Sequence, residues 1–197
     1  MLDKATIENL LTALAKQIES IKQGPINIVV CGGASLNVLG QIRRTTKDID
    51  IMGIFEREKS SGKLNVKEAV LPKWFMDAAD RVRNDFNLPD NWINVGPTSI
   101  VRFGLPKNFE KRLVKKRYSK VLSVYYISRL DQIHFKLYAS ADRGGHHVDD
   151  LMALKPKNKE LEQAALWSMT HDVSESFRLV LKDSLEKLGF KDVCEKI

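Results

Sequence analysis

Asp48 and Asp50 flank a single apolar residue, Ile49, and follow the pair Gly32-Gly33 by sixteen residues. Lys47 to Ile54 alternates polar and apolar positions, the period of a strand. Residues i and i+2 of a strand project from one face about 6 to 7 Å apart, so both carboxylates meet while Ile49 and Ile51 turn toward a core. That concentration of negative charge is costly without a cation. Paired carboxylates suit magnesium ions, or manganese, which clamp the attacking and leaving oxygens of an in-line phosphoryl displacement.

Gly32-Gly33 supplies the complementary half. A strand-to-helix turn without β-carbons lets backbone N–H groups and a helix N-terminus approach phosphate oxygens closely, and Ser35 offers a hydroxyl at the same turn. A Gly-Gly pair alone marks any tight turn, and an isolated Asp-x-Asp serves caps and surfaces. Their conjunction, with a strand before the glycines and another at the aspartates, points to a site for a metal-bound nucleoside triphosphate.

The elements that must position these residues are readable in outline. Ile7, Leu10, Leu11, Leu14, Ile18 and Ile21 predict an amphipathic helix over 4–22 with Asp3 as cap, stopped by Gly24-Pro25. Ile26 to Cys31 is a short β-branched run that reads as a buried strand entering Gly32-Gly33, and 34–39 as a short helix ended by Gly40. Phe55 to Asn65, around Ser60-Ser61-Gly62, reads as a loop, and 72–86 as a helix carrying Trp74, Phe75, Ala78, Val82 and Phe86. Residues 87–106 hold three prolines and two glycines and read as irregular, apart from a short strand or helical turn near Ser99 to Arg102. Val121 to Ile127 reads as a strand, and Ser128-Arg129-Leu130-Asp131 as a capping box opening a helix through Asp142. Helices over 148–154 and 159–169 follow, then an amphipathic one capped by Asp172 and carrying Phe177, Val180, Leu181, Leu185 and Leu188.

At 197 residues, 43% apolar and 29% charged, the chain has the balance of a soluble globular protein with room for one well-buried domain and a helical extension. No apolar run approaches a membrane span, no signal peptide is evident, and Cys31 and Cys194 lack the spacing of a disulfide framework or zinc site. A cytoplasmic protein is expected. The net charge of +7 is concentrated, because residues 107–120 carry seven Lys or Arg against Glu110. That segment is either a solvated hairpin or helix face, or a surface attracting RNA or a triphosphate, with Phe109 and Tyr118 available for stacking.

Val29-Val30-Cys31-Gly32-Gly33-Ala34-Ser35-Leu36, then Gly40 and Arg43-Arg44-Thr45-Thr46-Lys47-Asp48-Ile49-Asp50-Ile51, resembles the DNA polymerase β-like nucleotidyltransferase superfamily. Arg44 and Thr46 before the first aspartate, with Asp131, Lys136, Arg143 and Asp150-Leu151 downstream, resemble its AbiEii toxin-related branch, the type IV toxin–antitoxin systems. The resemblance covers about residues 26–154. It implies an α/β fold, a small mixed sheet of the nucleotidyltransferase type flanked by helices, with residues 1–154 as the core domain and 155–197 as a C-terminal helical extension. It implies that Asp48 and Asp50 ligate the metal and that Gly32, Gly33, Ser35, Arg44 and Thr46 hold the nucleotide. Lys136 would neutralise phosphate and Asp150 act as an accessory acid. The acceptor would be RNA (tRNA included), protein or a small molecule, with a cognate antitoxin as a partner.

Two features depart from the resemblance. Many polymerase β-like enzymes take a third carboxylate from a later strand, whereas Val121 to Ile127 holds no Asp or Glu, and His147 stands where the AbiEii branch often has an acid. A nucleotide- or RNA-binding protein without turnover on the same fold is the alternative these departures leave open. Gln132, Lys136 and Arg143 share one helical stripe, which either faces a nucleotide or is solvated. Asp131 belongs to the capping box, and Asp149 and Asp150 suit a helix N-terminus as well as a site. His134, His146, His147 and His171 read as surface or cap residues without zinc-ligand spacing, and Trp74, Trp92 and Trp167 as packing residues.

Overall fold

The computed structural model describes residues 1–57 and 64–197 and divides into two compact units, Met1–Ile127 and Ser128–Ile197. The first is a mixed α/β unit. Helix α1 (Lys4–Ser20) starts where the Asp3 carboxylate accepts from the N–H of Thr6 at 2.8 Å, and it buries Ile7, Leu10, Leu11, Leu14 and Ile18 on one face. Strand β1 (Ile26–Cys31) runs directly into α2 (Gly32–Val38), which begins at the glycine pair, two residues before the expected start. Strand β2 (Ile49–Arg57) then pairs antiparallel with β1, placing Cys31 opposite Asp50.

β2 is longer than its polar–apolar period indicated. Phe55 to Arg57 continue it and Leu64 and Asn65 open β3 (Leu64–Glu68), so those residues are ladder and not loop, while Ser60-Ser61-Gly62 lies outside the described residues. Helix α3 (Lys73–Phe86) follows. The stretch without a clear period resolves into β4 (Ile93–Asn94), a 3-10 turn (Gly96–Ser99) and α4 (Ile100–Phe103). The basic segment forms a helical turn, α5 (Phe109–Arg112), and β5 (Val114–Arg117), which hairpins onto β6 (Leu122–Tyr126). Strand order is β3-β2-β1-β6-β5, with β1 and β6 parallel and β4 parallel to the start of β2.

One sheet face carries Ile26, Ile28 and Val30 of β1, Ile49 and Ile51 of β2, and Leu122, Val124 and Tyr126 of β6. These pack with the buried faces of α1 and α3 and with Trp92, whose indole N–H donates to the carbonyl of Ala79 at 3.3 Å. Burial of each such side chain contributes about 1.5–3 kcal/mol, which fixes the register, because a slip of one residue would send every apolar group to the wrong face. Asp50, between Ile49 and Ile51, therefore points to the other face.

The second unit is helical, with α6 (Arg129–Arg143), α7 (His146–Ala153), α8 (Asn158–His171), α9 (Glu175–Lys187) and α10 (Lys191–Cys194). The Ser128 hydroxyl caps α6 by accepting from the Asp131 N–H at 3.2 Å, and it donates to Asp131 Oδ2 at 2.6 Å, so Asp131 engages the cap hydroxyl. Arg129 clasps the start of α6 to the α7–α8 connection through the carbonyls of Leu154 and Lys155 and a bidentate pair with Glu160. Helix α9 is capped by Ser174 and not by Asp172, whose carboxylate instead accepts from the Ser174 N–H at 2.9 Å. Residues 128–154, grouped at the sequence level with the nucleotidyltransferase core, fall inside this helical unit.

Candidate functional site

β1 ends at Cys31, so the antiparallel register delivers Gly32 beside Asp50. Gly32 has φ +63°, a conformation that strains any residue with a β-carbon, and a β-carbon there would stand 2.7 Å from Asp50 Oδ2. The carboxylate thus lies against the bare backbone of the turn. Gly33 has the same intimacy with the segment before β2, where a β-carbon would stand 2.6 Å from Thr46 Oγ1 and 3.9 Å from Arg44 Nη1. Both glycines are therefore steric requirements, and the space beside them is bordered by a carboxylate, a hydroxyl and a guanidinium.

Thr46 is held by its backbone. Its N–H donates to the Leu2 carbonyl at 2.9 Å and its carbonyl accepts from the Leu2 N–H at 2.7 Å, an isolated bridge linking the segment before α1 to the approach to β2. Thr46 is buried, whereas Arg44 is exposed and donates to the Thr45 carbonyl at 3.1 Å. Ser35 is wholly buried and its hydroxyl donates to the Ile127 carbonyl at 3.3 Å, pinning the first turn of α2 to the end of β6. Asn37 adds a second lock, its amide donating to the Gly33 carbonyl at 2.9 Å.

Asp48 lies one residue before β2 and, like Asp50, is partly buried. Its Oδ2 accepts from the Asn94 amide at 3.4 Å, and Asn94 is paired in register with Asp50 through the β2–β4 ladder. Asn94 escaped the sequence reading because a two-residue strand in a segment rich in proline and glycine carries no period. Among the described residues, no three His, Cys, Asp or Glu side chains gather to hold a metal. Two carboxylates are nonetheless a fitting donor set for magnesium, which is characteristically bound by one or two carboxylates with phosphate oxygens and water completing its shell.

In the helical unit, Lys136 and Asp150 form an ion pair of 2.7 Å with side chains only 7% and 2% exposed. A buried lysine on a charged helix stripe is not a solvated face, and Gln132, on the same stripe, is buried too. Arg143 departs from them. It is exposed and pairs with Asp142 at 3.3 Å. Asp149 is exposed in the first turn of α7. His147 Nδ1 accepts from the Lys136 ammonium at 3.5 Å, and burial, with the Lys136 charge second, pushes its pKa down to about 4. His147 is therefore neutral at pH 7.

The remaining candidates serve structure. His134 is buried in α6, donates from Nδ1 to the Leu130 carbonyl at 2.8 Å and stands edge-on to Trp167. Phe109 is fully buried, which corrects its expected availability for stacking, and the Tyr118 hydroxyl hydrogen-bonds that of Tyr126 at 2.6 Å. Burial pushes the Tyr118 phenol up to about 12. No helix among the described residues is long and apolar enough to cross a membrane.

The first unit thus combines a small mixed sheet with a glycine turn apposed to a strand-borne aspartate. The chain belongs to the DUF6036 family, described as "Nucleotidyltransferase of unknown function", whose family model matches residues 9–183. No curated protein and no solved structure matches it.

Proposed function

We propose that the protein transfers a nucleotidyl group from a nucleoside triphosphate to an acceptor hydroxyl, with magnesium or manganese held by Asp48 and Asp50. The observation that carries this reading is the apposition of Asp50 to Gly32 and of Thr46 and Arg44 to Gly33. It joins a metal-binding carboxylate to a backbone that phosphate oxygens can approach. Gly32 and Gly33 leave room for those oxygens, Arg44 supplies a permanent positive charge, and the Thr46 hydroxyl offers a donor. Ser35 and Asn37 contribute by holding the turn. The metal, when bound, would offset phosphate charge and lower the pKa of the acceptor hydroxyl.

In the reaction, the hydroxyl gives its proton to solvent as its oxygen bonds to the α-phosphorus, the bond from that phosphorus to the oxygen bridging to the β-phosphate breaks, and pyrophosphate leaves with the electron pair of that bond. Lys136 and Asp150 are assigned the roles of phosphate-neutralising cation and accessory acid by their likeness to AbiEii-type motifs. The same likeness supports a toxin-type enzyme countered by an antitoxin, readable as growth arrest on expression that Asp50→Asn abolishes.

RNA is the acceptor class we favour. Lys115 pairs with Tyr125 and Arg117 with Ser123, while Tyr125 pairs with Val29, two residues before the Cys31 that faces Asp50. Cross-strand partners share a face, so Lys115 and Arg117, exposed on the edge strand β5, lie on the sheet face that carries Asp50. Their i, i+2 spacing of about 7 Å suits successive phosphates. With Phe109 buried, that side chain adds no base stacking, and the proposed recognition rests on the phosphate backbone.

The test is incubation of the protein with each labelled triphosphate, magnesium and total cellular RNA or protein, beside Asp50→Asn. Label transferred by the unaltered chain and lost in the variant is expected. Equal transfer by both would contradict the assignment.

A further inference from the structure

Asp48 and Asp50 are held by different means. Asp50 is a ladder residue of β2 with Cys31 on one side and Asn94 on the other. Asp48 precedes the strand, so the ladder does not fix its carboxylate. What reaches it is the Asn94 amide, 3.4 Å from Oδ2. Asn94 is itself oriented, because its Oδ1 accepts from the Gly96 N–H at 2.9 Å. An N–H can face only the amide oxygen, so that contact settles which end of the side chain points at Asp48: the NH2 group. Gly96 permits the approach, since a β-carbon there would lie 3.1 Å from Asn94 Oδ1.

We propose that Asn94 is a positioning residue of the metal site, orienting the Asp48 carboxylate through a Gly96–Asn94–Asp48 relay and standing as a neutral group beside the two aspartates. This rests on the metal-bound triphosphate reading. A neutral neighbour keeps the local carboxylate charge at two, so the site holds a cation well only when phosphate oxygens join the coordination. A third carboxylate at this register position would bind the cation without them, because affinity for hard divalent ions rises with ligand charge.

Direct Mn2+ titration, read by the loss of the free-ion paramagnetic resonance signal, tests this without requiring turnover. It is run without nucleotide on the unaltered chain, Asn94→Ala, Asn94→Asp and Asp50→Asn, with the melting temperature of each measured alongside. Asn94→Asp retains an oxygen that accepts from the Gly96 N–H, so the contact that orients the side chain is kept. The expected result is Mn2+ affinity raised at least about tenfold in Asn94→Asp and lowered about tenfold in Asn94→Ala, the size of one charge-assisted contact. Affinity unchanged in Asn94→Ala at an unchanged melting temperature overturns the positioning role, and affinity not raised in Asn94→Asp overturns the charge argument. Affinity unchanged in Asp50→Asn would instead overturn the metal site itself, which separates the two failures.

Discussion

The Asp50 carboxylate lies against Gly32 so closely that a β-carbon on residue 32 would stand 2.7 Å from Oδ2. Gly32→Ala therefore has two consequences, a backbone cost of about 1–2 kcal/mol for a positive φ and displacement of the carboxylate proposed to bind the metal. Gly40, at φ +68° with nothing within 4 Å of its would-be β-carbon, is the control. Gly32→Ala and Gly40→Ala should lose similar stability in urea denaturation, while Gly32→Ala alone loses Mn2+ affinity. Equal affinity in both would separate Asp50 from the metal.

The Lys136–Asp150 pair is almost fully enclosed, so Lys136→Met takes the paired cation from a buried carboxylate at a cost of about 3–5 kcal/mol. For a chain of this size that is a fall in melting temperature of roughly 10 °C. Lys136→Met/Asp150→Leu, which removes both charges, should recover most of it. A single variant as stable as the unaltered chain would show that the pair is not buried in solution.

His147 makes stability depend on pH. Its pKa falls from 6.5 to about 4 on folding, so between those values the unfolded chain binds the proton more readily and the native state is disfavoured. The contribution is fully present above pH 6.5 and is lost as pH falls toward 4. The protonated ring would face Lys136, His146 and Arg143, with Asp150 the one opposing charge. His147→Asn should flatten the decline of melting temperature between pH 6.5 and 4. An unchanged slope would place the imidazole in water.

The edge strand makes a salt-dependent prediction. If Lys115 and Arg117 each neutralise a phosphate, Lys115→Gln/Arg117→Gln should reduce the slope of log affinity against log salt for RNA by about 1.4 to 1.8. Lys116 is the comparison, since it is engaged with Glu8 at 2.6 Å, and Lys116→Gln should change the slope less. The parent slope in Lys115→Gln/Arg117→Gln would remove RNA from this surface.

Much of the framework was legible because apolar period and turn chemistry report it directly. The alternation around Ile49 and Ile51 placed Asp50 on the face away from the core, and Ser128 announced the N-cap of α6. What the sequence concealed depends on tertiary contacts. The β4 pairing that brings Asn94 to the aspartates spans two residues, too few to show a period. Lys136 sits on a stripe whose composition suggests solvent, and only the arrival of Asp150 from α7 makes its burial tolerable. Phe109 lies among charged residues in sequence yet packs inward, since a run of charge says nothing about where an apolar side chain within it packs. Gly33 was legible as a turn, but its closeness to Thr46 follows from the Leu2–Thr46 bridge, which no local pattern announces.

Gly32-Gly33 with Asp48 and Asp50 is the proposed site of a metal-bound triphosphate. Calorimetric titration of the unaltered chain and Asp50→Asn with each of the four non-hydrolysable nucleoside triphosphates, with and without magnesium, tests it most directly. At least one triphosphate should bind only with magnesium, and its affinity should fall about tenfold or more in Asp50→Asn at an unchanged melting temperature. Binding that is independent of magnesium, or equal in the two proteins, or absent for all four, would contradict it.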